Sequence, residues 1–303
     1  MQSSSRLAYV LSLLALCVCG CSNDSAPSPT GPAWDPADEG KAAGVAASER
    51  QAGSQMAATT GKYPDPETWE AAGERQAERA ARSFAILKQH DVPAYDGPLF
   101  VADDDVAKIQ SAEDVAKRVL VLWAVELRAE GVSQEEAIGL IEKLDLWDSV
   151  SPVEKLFLQN ADPDPEESKE LVWRLESIWV LLWSLGYIDE LEWPSGMCDV
   201  KKLVAILKPL ESDPAFITGA KLRDKAELLD AQDLTMRIHW AVRDSFLNAN
   251  QMVPKGLDWT NTESLVPIGI SPAVGVVEQR HYVLNWLVRY LEPKDWDSVD
   301  TPT

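Results

Sequence analysis

The sequence predicts an all-α protein: a single multi-helix globular domain of about eight helices, preceded by a disordered N-terminal tether. Three observations predict it. Apolar residues recur at helical spacing through residues 63–303, helix-starting residues stand at the heads of those runs, and clear alternating strands are missing. The runs fall near residues 67–89, 111–129, 133–146, 152–159, 167–185, 197–208, 220–248 and 272–291.

Taken in order, the runs carry their own punctuation. Ser133 with Glu136, and Ser151 with Pro152 and Glu154, match a capping box, in which the serine and the acidic side chain each satisfy a backbone N–H of the first turn. The acidic segment Asp162–Glu167 lacks the alternating oxygen ligands and central glycine of a calcium loop and suits the positive end of a helix dipole. Gly186 closes the run before Tyr187, and Ser271 followed by Pro272 opens the last one. Between them, residues 258–270 read as an irregular loop.

Ahead of this body the composition changes. Residues 22–62 are rich in Ser, Ala, Gly, Pro and Thr, with Trp34 their only aromatic residue, so they bury too little surface to offset the entropy of ordering. Most of the 12 tryptophans lie in the body instead. Residues 1–20 have the layout of an export signal, with Arg6 followed by an uncharged stretch from Leu7 to Gly20. The end of that stretch resembles a bacterial lipobox. Cys21 follows the small residue Gly20, whereas Cys17 follows Leu16 and Cys19 follows Val18, so Cys21 is the expected acylation site.

The expected organisation is therefore a signal peptide at 1–20, an acylated cysteine and linker at 21–62, and a helical domain at 63–303. Acylation of Cys21 would place the protein outside the cytoplasm, with the outer membrane preferred where one exists. It also leaves Cys198 alone in the mature chain, so stability has to come from core packing rather than from a disulfide. Loss of Arg6 with the signal takes the formal net charge from -21 to -22, which repels phosphate backbones and anionic headgroups. No nucleic-acid partner is expected, and the lipid has to hold the chain to the membrane.

Three Trp-rich helical runs carry charges inside apolar surroundings. In the 167–185 run, Arg174 lies on the wheel between Ile178, Leu181 and Leu185, and Glu176 neighbours Val180 and Trp183. The 220–248 run sets Asp233, Arg237, Trp240 and Asp244 on one face, with His239 beside Phe246. In the last run Glu278, His281 and Asn285 form a narrow strip while Arg280 falls in the apolar arc. Buried charges need partners, here expected across helices, and three arginines stand against Glu176, Asp233 and Glu278. The set Arg174, Glu176, Arg237, His239, Trp240, Glu278, Arg280 and His281 is thus either a network of ion pairs fixing helix register or the lining of a site for an anionic ligand. The two histidines have no recognisable metal-ligand spacing, so no metal or other cofactor is expected. Zincin, nucleophile-elbow, phosphate-loop and dinucleotide fingerprints are all missing, and Cys198 reads as a packed small residue.

Seven stretches taken together resemble the bacterial family called domain of unknown function 4272. They are RSFAILKQHDVP from Arg82, SAEDVAKRVLVLWAVE from Ser111, SPVEKLFL from Ser151, WRLESIWVLLWSLGYIDEL from Trp173, LRDKAELLDAQDLTMRIHWAVRD from Leu222, VEQRHYVLNWL from Val277 and WDSV from Trp296. The resemblance implies a helical domain with no assigned activity, and it places Arg174, Glu176, Arg237, His239, Glu278, Arg280 and His281 within characteristic motifs. The expected function is a membrane-anchored binding or interaction module of non-enzymatic kind, with an unknown protein or small-molecule partner. The alternative is a hydrolase-like enzyme using the Arg/His/Glu cluster on an anionic or metal-assisted substrate.

Overall fold

A computed structural model describes residues 65, 73–95, 97–247, 253–258, 272–293 and 295–303. The expected signal, Cys21, the tether, the loop at 259–270 and the Ser271 cap lie outside the described residues. The chain divides into two units, Met1–Gly61 and Lys62–Thr303, and everything below concerns the second.

Among the described residues the regular elements are helices: α1 (Glu74–Gln89), α2 (Ala112–Ala129), α3 (Gln134–Lys143), α4 (Pro152–Gln159), α5 (Pro165–Leu171), α6 (Arg174–Ser184), α7 (Val200–Leu210), the single turn α8 (Ala215–Thr218), α9 (Lys225–Leu247) and α10 (Pro272–Leu287), with three short 3-10 turns. The all-α expectation holds. The count differs in two places. The run at 167–185 is two helices, because Trp173 N bonds back three residues to Glu170 O and Glu176 N to Trp173 O, a tightened turn where the indole of Trp173 lies against Gly275 of α10. The turn α8 follows Pro214 and is too short to leave a periodic signature.

Local chemistry explains most helix ends. Ser151 and Glu154 form the reciprocal capping box with Pro152 at the first helical position. Ser133 accepts from Glu136 N, and its hydroxyl donates to the Glu136 carboxylate. Asp164 caps α5 by accepting from Glu166 N, so the acidic segment there serves a helix start. Gly186 ends α6 at a φ of 82°, a left-handed conformation open to glycine without a Cβ penalty.

Packing runs from helix to neighbouring helix in the order α3, α2, α6, α10, α9, α1. The inner members are covered on more than one side, which is why their sequences are apolar nearly all round. Val115 to Val125 of α2 includes nine fully or almost fully covered aliphatic and aromatic side chains, and Leu175 to Trp183 of α6 is buried throughout. Each buried Leu, Val or Phe contributes about 1.5–3 kcal/mol, so the α2–α6–α10 stack dominates stability. α1 packs on the same body: Ala80, Phe84 and Leu87 join Ile238, Ala241 and Val242 of α9 in one apolar cluster.

Candidate functional site

α10 packs between α6 and α9, and so brings the three charge-bearing helices together. Their charges do not form one cluster. They separate into four groups, three closed by their own partners and one, at Arg174, without an ion pair among the described residues.

Between α6 and α10, Glu176 and Arg280 form an ion pair at 3.2 Å, with Glu176 fully buried and Arg280 4% exposed. The pair is satisfied beyond itself: Arg280 donates to Glu192 O at 2.6 Å, and the Glu176 carboxylate accepts from Cys198 N. Burial, with the Glu176 carboxylate next to it, pushes the Cys198 thiol far up, so the group is an inert neutral thiol.

Within α9, Arg237 pairs with Asp233 one turn before it, at 2.8 and 3.0 Å. The expectation that buried charges meet across helices fails here, because an i,i+4 spacing already lets both groups satisfy one another. Neighbouring elements add further partners, although Arg237 Nη1 is left without a hydrogen bond among the described residues. Ser83 of α1 donates to Asp233 at 2.6 Å, Leu99 O accepts from Arg237, and the guanidinium lies over the Phe84 ring at 4.5 Å.

Between α9 and α10, the two imidazoles face each other with Nδ1 atoms 2.8 Å apart. His281 Nε2 lies 3.1 Å from Asn285 Nδ2, and Asn285 accepts from Gln232 of α9 at 2.9 Å. Burial holds His239 down to about 4, with the Arg243 charge adding to it, and holds His281 well below its ordinary value, with His239 adding. Both are neutral near pH 7.

Arg174 differs from the other two arginines. It is half-buried at the start of α6 and has no ion pair to a carboxylate among the described residues. Its guanidinium donates to Gln279 Oε1 at 3.1 Å and lies over the rings of Tyr282 at 4.9 Å and Trp296 at 5.5 Å. Ser177 holds the same Gln279 oxygen at 3.2 Å. Glu278, expected in the polar seam, is exposed and pairs with none of the three arginines among the described residues. Desolvation raises its carboxyl, against the opposing fields of Arg174 and of Arg243, which stands one turn beyond His239 on α9. Trp240 stands apart from all four groups, half-buried against Tyr95 at 5.6 Å between centroids.

Three structurally important charged groups lay outside the expected set. Arg118 of α2 pairs with Glu154 at 2.7 Å, almost fully buried, and its guanidinium lies 4.8 Å over Trp296. Trp296 is therefore flanked by Arg118 and Arg174. Arg79 of α1 bridges Asp104 and Asp230 at 2.6 and 2.9 Å. Glu126 of α2 is 1% exposed, neither of its carboxylate oxygens has a hydrogen-bond partner among the described residues, and burial raises it well above the usual carboxylate range. Arg118 and Glu126 bracket the uninterrupted apolar run Val119–Val125, a signal of the kind that marked Arg174 and Glu176.

Among the described residues no grouping of His, Cys, Asp and Glu could hold a metal ion, and no helix is long and apolar enough to cross a membrane. The profile of the family described as Domain of unknown function (DUF4272) matches residues 79–299. The chain belongs to that family. No curated protein and no solved structure matches it.

Proposed function

We propose that this DUF4272 chain is a lipid-anchored, extracytoplasmic binding module without catalytic chemistry of its own, held to the membrane through an acylated Cys21 and presenting an anion-recognition point at Arg174. The observation that carries the binding role is the state of that guanidinium. Arg237 and Arg280 are ion-paired inside the fold, while Arg174 is held by an amide and two aromatic faces and forms no ion pair with a carboxylate among the described residues, Glu278 reaching it only through its field. A guanidinium stacked in this way is pre-oriented, so a carboxylate or phosphate that meets it loses little side-chain entropy.

The hydrolase-like alternative finds less support in the chemistry of the same residues. General acid-base work near neutral pH needs a group that titrates there, and the His239–His281 pair is depressed far below that range. The anchor rests on Arg6, the uncharged stretch Leu7–Gly20 and the Gly20–Cys21 junction.

Native mass spectrometry of the purified mature chain tests the binding role. A small anionic ligand is expected on the wild type, at least tenfold depleted in Arg174→Gln by the loss of a charge-assisted hydrogen bond of about 1.5–3 kcal/mol, and retained in a His239→Ala, His281→Ala variant. Equal ligand content in Arg174→Gln, or none in the wild type, would contradict the proposal.

A further inference from the structure

The hydrogen bonds around the histidine pair have only one consistent direction. Asp300 O is a carbonyl and can only accept, and the Asn285 atom 2.8 Å from it is therefore the Nδ2 donor. The same NH2 group lies 3.1 Å from His281 Nε2, so that nitrogen accepts and carries no proton. A neutral His281 then holds its proton on Nδ1 and donates it to His239 Nδ1 at 2.8 Å, which leaves His239 protonated on Nε2. Asn285 Oδ1 is occupied by Gln232 Nε2, and Gln232 Oε1 is buried with no partner among the described residues.

One more proton cannot be added without reversing part of this chain. Placed on His281 Nε2, it faces the Asn285 NH2 group. Placed on His239 Nδ1, it faces His281 Nδ1–H, and relief comes when the His281 proton moves to Nε2, which leaves the charge on His239 but again puts a proton on His281 Nε2. Asn285 meets a protonated Nε2 by turning its amide so that Oδ1 accepts. Its NH2 then points at Gln232, whose own amide turns to offer the oxygen that had no partner. The Gln232 NH2 group then takes the position in which its oxygen had no partner, and Asp300 O has lost its donor.

We propose that the His239–His281 pair is an acid-operated latch: a proton arriving at His281 Nε2 turns Asn285 and releases the C-terminal segment 299–303 from α10. That segment follows the Trp296–Ser298 turn, which is fixed independently by the buried Trp296 ring and by Asp297 accepting from Val153 N, so release begins beyond Ser298. No carboxylate among the described residues accepts from either imidazole. The charged groups nearest the pair on the packed elements include Arg243, Asp244 and the Arg237–Asp233 pair on α9, Glu278 on α10, Arg174 on α6, the Arg280–Glu176 pair between α10 and α6, and Asp300 in the tail, whose carboxylate accepts from Thr301 N. Burial, and after it the charge of Arg243, opposes protonation of His239, so the latch responds below neutral pH.

Selective 15N labelling of histidine and threonine in the full-length chain tests this, since ring-nitrogen shifts report tautomers and the Thr301 amide reports the tail. Near neutral pH the expected tautomers are Nδ1–H for His281 and Nε2–H for His239. On acidification, proton uptake at His281 Nε2 should track a rise in Thr301 mobility, with opening of the tail increased about fivefold, the worth of one hydrogen bond. In Asn285→Leu the tail should be mobile at both pH values. The opposite tautomers, proton gain at Nε2 with an unchanged tail, tail release that does not track it, or unfolding before His281 titrates would each overturn the latch. Should Asn285→Leu fail to fold, the wild-type titration decides alone.

Discussion

Arg280 and Glu176 show what one embedded charge demands of its surroundings. Their pair is closed on all sides, so removing one partner leaves a buried ion without compensation. Arg280→Met is expected to cost about 3–5 kcal/mol by chemical denaturation, and pairing it with Glu176→Leu should recover most of that loss. Titration adds a second test at this scale. The depressed histidines hold fewer protons folded than unfolded, so stability is full above about pH 6.5 and falls as pH drops toward the folded value of about 4 for His239. Each contributes a slope of at most ~1.4 kcal/mol per pH unit. Glu126 has the opposite sign: its raised carboxyl is protonated in the fold, and its contribution is lost as pH rises above the unfolded carboxylate range. Glu126→Gln should therefore raise the melting temperature at pH 8 and flatten the alkaline limb of the stability profile. An unchanged alkaline limb would show that Glu126 is ionised in the folded protein.

At the scale of elements, legibility follows the range of the interaction. The cap at Ser151 was readable because serine, proline and glutamate lie within four residues, and the structure adds a use that no local pattern carries: the same Glu154 pairs with Arg118 from another helix. The wheel showed that Arg174, Glu176, Arg280 and His281 are embedded, but a wheel has no information on which neighbour each side faces. That is why Glu278 was grouped with the arginines although it points to solvent, and why Arg237 was sent across a helix boundary although its partner is four residues away. Close approach of distant segments was equally illegible. Gly256 sits where an added Cβ would fall 1.7 Å from His90 O, beside the stacked His90 and Trp193 rings. Backbone on both sides leaves no flexible side-chain end to yield, so Gly256→Ala is expected to lower stability by roughly 1–3 kcal/mol, and a neutral substitution would show that the 253–258 segment is not seated on α1.

For the whole molecule, the fold explains how a strongly acidic chain keeps positive charge inside. Arg79, Arg118, Arg237 and Arg280 are each nearly or fully buried and each meets a carboxylate, so these four cations do not offset the acidic excess at the surface of the described helices. Such a surface is repelled by anionic lipid headgroups, and attachment to a membrane then depends on the acyl group proposed at Cys21. Detergent-phase partitioning of the wild type against Cys21→Ala tests that dependence most directly. The wild-type chain is predicted in the detergent phase and Cys21→Ala in the aqueous phase with its helical body intact. A Cys21→Ala protein that stays with detergent, or a wild type that never enters it, would contradict the account.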